Sequence, residues 1–346
     1  MIWFTVATLL PVALLALAGL AGGLWCLLAL LYLTAFTYLM DRIVQGAVAR
    51  RGADGEFPVG EPLAITLGLA HICLIFIAVF AIGGDNGLSA GERIACFIAF
   101  GLFFGQVSNA NAHELIHKQA RWPRRLGKLV YISLLFGHHA SAHPRVHHVW
   151  VASDMDPNSP RARESFYHFW PRAWIGSFRK GLAAENALRR RRPKPLSDHP
   201  YVAYVGGGLM LLWLMTTLFG LSGLVAYLCL CTYATMQLLV SDYVQHYGLR
   251  RARGADGRLE PVGPQHSWNA PQFYSSALML NAPRHSDHHM HPLRTYPSLA
   301  LDHATMPILP RSLPLMGALA LWPRMWRRVM DPRVAGLPPS PGQPQS

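Results

Sequence analysis

The first forty residues constrain the fold more than any other segment of the chain. Residues 1–40 contain no aspartate, glutamate, lysine or arginine, and this run is about twice the ~20 apolar residues that cross a bilayer once. We interpret it as two transmembrane helices that turn at residues 19–23, where the sequence is Gly-Leu-Ala-Gly-Gly. A cleaved signal peptide fits poorly, because the run is too long and no basic residues precede it. The sequence therefore predicts an integral membrane protein.

Composition agrees with a membrane fold. Hydrophobic residues make up 51% of the chain and charged residues 14%, which is roughly half the charged share usual in a soluble domain. The predicted fold class is an all-α integral membrane protein with six transmembrane helices. They are predicted at about residues 3–19, 24–40, 63–83, 93–114, 201–219 and 222–244. Residues 1–330 are predicted to form one domain. Residues 331–346 are rich in Pro, Gly, Ser and Gln and are predicted to form a disordered tail.

The distribution of basic residues predicts the orientation. They are concentrated after the fourth span and in residues 145–194, whereas the turn at 84–92 holds Asp85 and Glu92. By the positive-inside rule the basic segments and both termini are cytoplasmic, and we expect the protein in a bacterial inner membrane. Topology and anionic lipid account for the net charge of +13 better than nucleic acid does.

Three other features have simple interpretations. Residues 50–55 are predicted to form a plain loop. Residues 303–330 contain an apolar run broken by four prolines, so we expect them to pack at the membrane interface rather than to span the membrane.

The cysteines all lie in predicted spans and form no Cys-x-x-Cys pair, so neither a disulfide nor an intrinsic rubredoxin-like iron site is predicted. They are Cys26, Cys73, Cys96, Cys229 and Cys231.

Residues 113–117 read His-Glu-Leu-Ile-His and allow three interpretations. Two histidines one helical turn apart, with a glutamate between them, are typical of zinc proteases. The same residues contain Glu-x-x-His, the half-motif of carboxylate-bridged di-iron bundles. The third possibility is one corner of a larger site built from histidines.

Most of the seventeen histidines fall in clusters at the predicted cytoplasmic ends of the spans or just beyond them. The clusters comprise His113 and His117; His138, His139, His143, His147 and His148; His246; and His285, His288, His289 and His291. Spacings of three and four residues put side chains on one face of a helix. His138, His139 and His291 are assigned only as neighbours of ligands or as structural residues. The nine imidazoles that remain exceed one metal ion but suit two, with five and four ligands.

Ligand supply decides between the three interpretations. A zinc protease would use His113, Glu114 and His117 and leave the later clusters unexplained. A carboxylate-bridged di-iron site needs about four carboxylates, whereas only one of the seven glutamates stands in the required motif. A histidine-rich dinuclear site is therefore favoured. Isolated histidines are more often structural than metal-binding, and we assign that role to His71, His168, His199, His266 and His303.

Several segments carry a family resemblance. HELIHK, AHPRVHHVWVASDMDP, DYVQHYGLRR and NAPRHSDHHMHPLRTYPSL resemble the histidine motifs of the integral-membrane alkane 1-monooxygenases, a branch of the fatty acid desaturase–hydroxylase superfamily. RESFYHFWPRAWIGSFRKGLAAENALRR resembles the segment that follows the second motif in that family. The resemblance covers residues 100–300, and the predicted six-span topology is compatible with it.

The resemblance implies a reaction, a cofactor and partners. The reaction is hydroxylation of an unactivated C–H bond, above all the terminal methyl group of an n-alkane, with O2 and two electrons. The cofactor is two iron ions. The electrons are expected from a rubredoxin-like donor and its NAD(P)H-dependent reductase, and the basic cytoplasmic residues would suit an acidic donor. The implied iron ligands are His113, His117, His143, His147, His148, His246, His285, His288 and His289.

The motifs depart from the family pattern beside the histidines. Ala142 and Val146 stand where the second motif usually has glutamate and glycine, and residues 282–284 read Ala-Pro-Arg where Leu-Gln-Arg is frequent. All the histidines are retained, so the departures concern the surroundings of the ligands and the choice of substrate. Glu114 and Asp287, adjacent to implied ligands, are predicted to accept hydrogen bonds from imidazole N–H groups.

Three alternatives stay open from the sequence. A sister enzyme, either a xylene-monooxygenase-like hydroxylase or a fatty acyl desaturase, would use the same histidines. A membrane zinc metalloprotease would need only the first motif. A metal transporter would need histidines along a path across the membrane, whereas these are predicted at one face.

Overall fold

Helices make up nearly all of the regular structure. The computed structural model describes residues 1–48, 60–191 and 195–337. Within those ranges the only β-type pairings are two isolated bridges. The predicted loop at residues 50–55 lies outside the described residues.

Long apolar helices form the N-terminal part of the chain. They are α1 (Ile2–Ala21), α2 (Leu24–Leu31), α3 (Thr37–Val48), α4 (Gly60–Gly83), α5 (Ala90–Phe103) and α6 (Asn109–Ile116). One π-helical turn, Tyr32–Phe36, joins α2 to α3, and another, Phe104–Ser108, joins α5 to α6. Gly22 and Gly23 turn the chain between α1 and α2 with φ angles of 63° and 61°, which glycine adopts without strain because it has no Cβ.

The remaining helices, together with the segments between them, carry most of the histidines. They are α7 (Arg121–Ser133), α8 (His139–Ala142), α9 (His148–Trp150), α10 (Phe166–Arg191), α11 (Pro200–His246), α12 (Phe273–Leu278), α13 (His285–Met290), α14 (Leu313–Ala320) and α15 (Pro323–Ala335). A π-helical turn, His143–His147, joins α8 to α9. Short 3-10 turns occupy Leu196–Asp198, Pro264–His266 and Tyr296–Ser298.

The 47-residue helix α11 is bent in its middle. A straight helix of that length would measure about 70 Å, more than twice the ~30 Å hydrocarbon core of a bilayer. Gly220 has the non-helical angles φ 66° and ψ −165° and separates two helical halves. At the start of α11, the His199 ring accepts a hydrogen bond from the Tyr201 backbone N–H at 3.1 Å, and Pro200 takes the first helical position, where no N–H is needed.

Five helices among the described residues are long and apolar enough to cross a membrane. They are Ile2–Ala21, Leu24–Val44, Gly60–Gly83, Ala90–Ile116 and Pro200–His246. The predicted all-helical membrane fold is confirmed. The bent helix contains the last two predicted spans, so all six predicted segments fall in apolar helices. The number of crossings and the side of the membrane stay predictions.

Two apolar clusters connect the helices. The first fills the space among α1, α2, α4, α5 and α11, with Phe100 and Phe103 fully buried. The second joins the end of α11 to α7, α10, α14 and α15, with Tyr243 and Trp326 packed ring against ring. The histidine segments meet where α6 and α11 end.

The proline-interrupted segment forms a short helical hairpin, α14–α15, and not a span. The first residues of the segment predicted as a disordered tail belong to this hairpin, because residues 331–335 form the end of α15. The Tyr247 hydroxyl donates to Asp331 Oδ1 at 2.7 Å and holds this last turn against the end of α11. Residues 338–346 lie outside the described residues.

Candidate metal centre

The first histidine motif lies at the end of the fourth apolar helix. α6 places His113 and His117 one turn apart, with ring centroids separated by 5.1 Å. α7 packs directly behind α6 at Gly127, where an added Cβ would lie 2.8 Å from Leu115 Cβ and 2.9 Å from the Ala112 carbonyl oxygen. Close backbone packing therefore fixes the helix that presents the first two imidazoles.

The second motif contains a π-helical turn that changes the pairing of its histidines. The four-residue spacing predicts a common direction for His143 and His147, but the structure pairs His143 with His148, whose Nε2 atoms lie 2.9 Å apart. The backbone N–H of His148 donates to the carbonyl of His143, five residues back, and this wider turn brings residues five apart to one side. His147 packs instead against His246, at 4.9 Å between ring centroids.

Nine imidazoles meet in two adjacent groups, each able to hold a metal ion. Within a group, one ring nitrogen of each residue lies within 4.8 Å of the others. The first group comprises His113, His117, His143, His148 and His288, and the second comprises His147, His246, His285 and His289. The centroids of His143 and His147, one from each group, are 5.1 Å apart. The division into five and four agrees with the number predicted from the sequence.

The distances between ring nitrogens fit a metal ion in each group. In the first group, the Nε2 atoms of His113 and His143 are 2.7 Å apart. In the second, Nε2 of His285 lies 3.1 Å from Nε2 of both His246 and His289. Two nitrogens bound at about 2.1 Å and at right angles to each other are roughly 3 Å apart. The imidazoles are therefore already spaced as neighbouring ligands of one ion.

The protonation of most of the imidazoles also suits metal binding. Burial, followed by the influence of neighbouring imidazoles, lowers the pKa of His143, His148 and His288 well below its usual value. A neutral imidazole has the lone pair that a metal requires. The Nε2 atoms of His117 and His147 are buried without a hydrogen-bond partner among the described residues. Such a nitrogen is unfavourable in a protein interior unless an ion occupies the group.

Asp156 orients a histidine of the second group, and the sequence analysis missed it. Its Oδ2 accepts a hydrogen bond from His147 Nδ1 at 2.8 Å. The Ser159 hydroxyl donates to the same oxygen at 2.7 Å, and the Asn158 backbone N–H donates to Oδ1 at 3.0 Å. Burial disfavours both charges, but the attraction between the two groups outweighs it, so the pKa of His147 is raised and that of Asp156 lowered. The only sequence signal was the turn-forming Asp-Pro-Asn segment that follows the second motif.

A backbone carbonyl orients His246. Its Nδ1 lies 3.2 Å from the carbonyl oxygen of His266. The His266 ring is in turn held by Glu260 Oε1 at 3.0 Å and by the Gly263 backbone N–H at 2.8 Å. The histidine assigned a structural role from the sequence thus positions a residue of the second group.

The other histidines lie outside both groups. His71 is buried between two serine hydroxyls, at 2.9 and 2.8 Å, and His168 and His303 are exposed. His139 lies beside the first group, with its ring centroid 5.0 Å from that of His143. His138 bonds to the hydroxyl of Ser177 at 3.1 Å.

Among the described residues, neither predicted carboxylate contacts the nine imidazoles. Glu114 pairs instead with Lys118, at 2.7 Å between Oε1 and Nζ, because residues four apart meet on a helix surface. Asp287 accepts a hydrogen bond from an imidazole, but from that of His291, at 2.9 Å. Both of its oxygens also accept from Arg294 at 2.7 Å. Both carboxylates hold segments around the site: Asp287 accepts from an imidazole outside the two groups, that of His291, and Glu114 pairs with Lys118.

The region that holds both groups matches a known family. Residues 93–319, well over half of the chain, match the family model described as fatty acid desaturase. The chain therefore belongs to the fatty acid desaturase family.

Within this family the chain is similar to several monooxygenases. It is 34% identical to the alkane 1-monooxygenase of Pseudomonas putida over 272 residues, which cover 78% of this chain and 67% of the relative. It is 32% identical to alkane 1-monooxygenase 2 of Alcanivorax borkumensis over 281 residues, which cover 78% and 71% of the two chains. It is 27% identical to the xylene/toluene monooxygenase hydroxylase component of P. putida over 288 residues, which cover 78% of this chain and 72% of the relative. The predicted family resemblance is confirmed, and the protein is an oxidoreductase of the monooxygenase type.

Proposed function

We propose that this enzyme hydroxylates an unactivated C–H bond of a hydrophobic substrate at a dinuclear iron site, with the terminal methyl group of n-alkanes as the main target. The observation that carries the proposal is the pair of adjacent imidazole groups, five and four in number. The similarity to alkane 1-monooxygenases supports the choice of iron and of alkanes.

In this proposal the nine imidazoles hold the metal, and their neighbours fix their orientation. Bound iron would supply the chemistry of O2 activation. Asp156 keeps Nδ1 of His147 protonated, so that Nε2 presents its lone pair to the second group. The carbonyl of His266 acts in the same way on His246. His285 and His289 are 5% and 6% exposed, and this burial excludes bulk water from the site.

Two adjoining cavities support access for an apolar chain. The first lies among α5, α11 and α14 and has a mainly apolar lining. The second reaches His113, His143 and His285. The two cavities are adjacent, because both are lined by Gly105, Gln106, Ser241 and Met279. We propose that the substrate chain lies in the first cavity and presents its terminal carbon in the second, since ligand sites are mostly apolar with few polar groups.

Electrons would reach the site from a rubredoxin-type donor supplied by an NAD(P)H-dependent reductase. Exposed basic residues follow the first motif: Arg121 and Arg125 lie in α7, four and eight residues after His117, and neither forms an ion pair within the described residues. They would attract an acidic donor. We propose that this face is cytoplasmic and that the membrane is the bacterial inner membrane, because basic flanking segments remain inside. Donor-dependent turnover should fall as salt concentration rises.

Metal content is the first test. Protein purified gently from iron-replete cells is expected to contain two iron ions per chain. His143→Ala should lose metal, whereas His168→Ala, which changes an exposed histidine outside both groups, should not. One zinc ion and no iron would contradict the proposal and favour a metalloprotease that uses His113, Glu114 and His117.

Product analysis is the second test. Membranes that contain the enzyme and its electron donors are expected to convert octane to 1-octanol. Oxidation of xylene alone, or desaturation of acyl lipid alone, would assign the chain to a sister activity of the same family. Metal flux without oxygen consumption would indicate a transporter.

A further inference from the structure

A groove runs between α14 and α15 on the surface of the molecule. Its volume is about 740 Å³, which lies within the range of ~300–1,000 Å³ typical of ligand sites. Its apolar lining includes Leu315, Leu319 and Val329. Trp322 and Met325 also line it and are 67% and 57% exposed. A large apolar surface therefore stays uncovered by the described part of the chain.

Two arginines line the same groove. Arg311 and Arg333 stand among the apolar side chains, and none of the described carboxylates lines the groove. Neither arginine forms an ion pair within the described residues, and Arg333 donates only to the carbonyl of Val329 in its own helix, at 2.6 Å. Residues 310–333 contain five arginines and a single acidic residue, Asp331. The groove thus combines apolar surface with unmatched positive charge.

The hairpin that forms the groove is fixed to the end of the last apolar helix. The ring of Trp326 packs against those of Tyr243 and Tyr247, at 5.3 and 5.2 Å between centroids. Both tyrosines lie within four residues of His246, the last residue of α11. The groove is therefore at the level where the spans end, which in a membrane protein is the headgroup region of the lipid.

We propose that this groove binds an anionic phospholipid. An acyl chain would cover the exposed faces of Trp322 and Met325, and the headgroup phosphate would accept hydrogen bonds from Arg311 and Arg333. Guanidinium groups match phosphate in both charge and geometry, and basic pockets between helices recognise anionic headgroups. A zwitterionic lipid would bring an ammonium group into a groove that lacks a carboxylate to receive it.

Helix α14 separates the groove from the apolar cavity that adjoins the imidazole groups. Leu313 and Gly317 line the cavity, Leu315 and Leu319 line the groove, and Ala318 lines both. A bound lipid would press α14 toward α11 and support the outer wall of that cavity. Lipid binding is therefore expected to stabilise the protein as well as to occupy its surface.

The test compares lipids in nanodiscs that contain the full-length protein. Discs of phosphatidylcholine alone are compared with discs that also contain phosphatidylglycerol, by thermal unfolding and by native mass spectrometry of retained lipid. Phosphatidylglycerol is expected to raise the Tm and to remain bound to the wild-type protein. The double variant Arg311→Gln/Arg333→Gln should bind it about 30-fold more weakly, since each basic residue at a membrane surface contributes roughly fivefold.

The matched control removes the same charge from outside the groove. Arg324 and Arg328 are exposed residues of α15 that do not line it, and Arg324→Gln/Arg328→Gln should retain the lipid as the wild type does. Equal weakening in both double variants would overturn the site in favour of diffuse attraction. An equal Tm increase with inorganic phosphate would overturn it in favour of a free-anion site.

A charge-conserving variant separates lipid loss from misfolding. Arg311→Lys/Arg333→Lys should keep more of the Tm response to phosphatidylglycerol than the glutamine variant does, because both positive charges remain although the guanidinium geometry is lost. A response no larger than that of the glutamine variant would contradict the proposal. Iron content should be the same in all variants. Absence of lipid binding with normal iron content would contradict the lipid site alone. Absence of iron with normal lipid binding would contradict the proposed enzyme function alone.

Discussion

His147 and His148 are adjacent in the sequence, yet they belong to different imidazole groups. Successive side chains on a helix point about 100° apart, and the π-helical turn at His143–His147 decides that His148 joins His143 in the first group. π turns occur frequently at functional sites. His288 and His289 are divided in the same way. At the scale of single residues, neighbouring histidines therefore tie the two groups together, and a shift in one turn would disturb both.

Replacing Asp156 with asparagine is expected to weaken metal binding by the second group about 10- to 100-fold. The amide removes the negative charge beside His147 and weakens the hydrogen bond that directs Nε2 toward the group. Metal retained after dialysis against chelators of graded strength measures the effect. Asp154→Asn, which changes an exposed carboxylate in the same segment, is the control. Equal retention by the two variants would exclude an orienting role for Asp156.

At the scale of elements, the position of α6 depends on its contact with α7. Gly127 lets α7 approach the backbone of α6 at the turn between His113 and His117. The absence of one side chain thus determines where the first motif lies. By contrast, Gly206 in α11 has open space where a Cβ would be added.

Gly127→Ala is expected to destabilise the protein by about 1–3 kcal/mol, since the added methyl group overpacks the contact between the two helices. It should also lower metal content, because α6 must move. Thermal unfolding in detergent and metal analysis report the two effects. Gly206→Ala should be neutral or stabilising by about 0.5–1 kcal/mol, the helix preference of alanine over glycine. A similar loss in both variants would show that the packing at Gly127 is not special.

At the scale of the whole molecule, all nine imidazoles collect at one end of the apolar helices, and the turn between α4 and α5 lies at the other end. The basic segment α10 accompanies the imidazole end, where α10 packs against the π turn of the second motif. The arrangement predicts opposite sides of the membrane for Asp85 and Arg190, which are both exposed.

Labelling with a membrane-impermeant maleimide tests this orientation. In a background where the exposed Cys73 and Cys229 are replaced by alanine, Asp85→Cys is expected to react in intact spheroplasts. Arg190→Cys should react only after permeabilisation, because basic segments are retained inside. The reverse pattern would place the imidazole groups outside the cell and contradict the proposed use of a cytoplasmic donor.

Removing the metal is expected to lower the Tm of the whole protein. The imidazoles come together only in the folded state, so metal binding stabilises that state, by about 2.7 kcal/mol when the ion is present at 100 times its Kd. Unfolding with and without a chelator measures the shift. The metal-binding variant His143→Ala should show a smaller shift, and an undiminished one would indicate that the chelator acts elsewhere.

The sequence by itself determined the membrane class, the positions of the apolar helices and the nine imidazoles that converge. Those conclusions depend on local quantities, namely the length of apolar runs, the residues at turns and the spacing of histidines within a motif. Only the tertiary structure decided which imidazoles share a group, and that Asp156 and His266 orient two of them. These features depend on one wider helical turn and on contacts between distant segments, and side chains compete for partners only after the chain has folded.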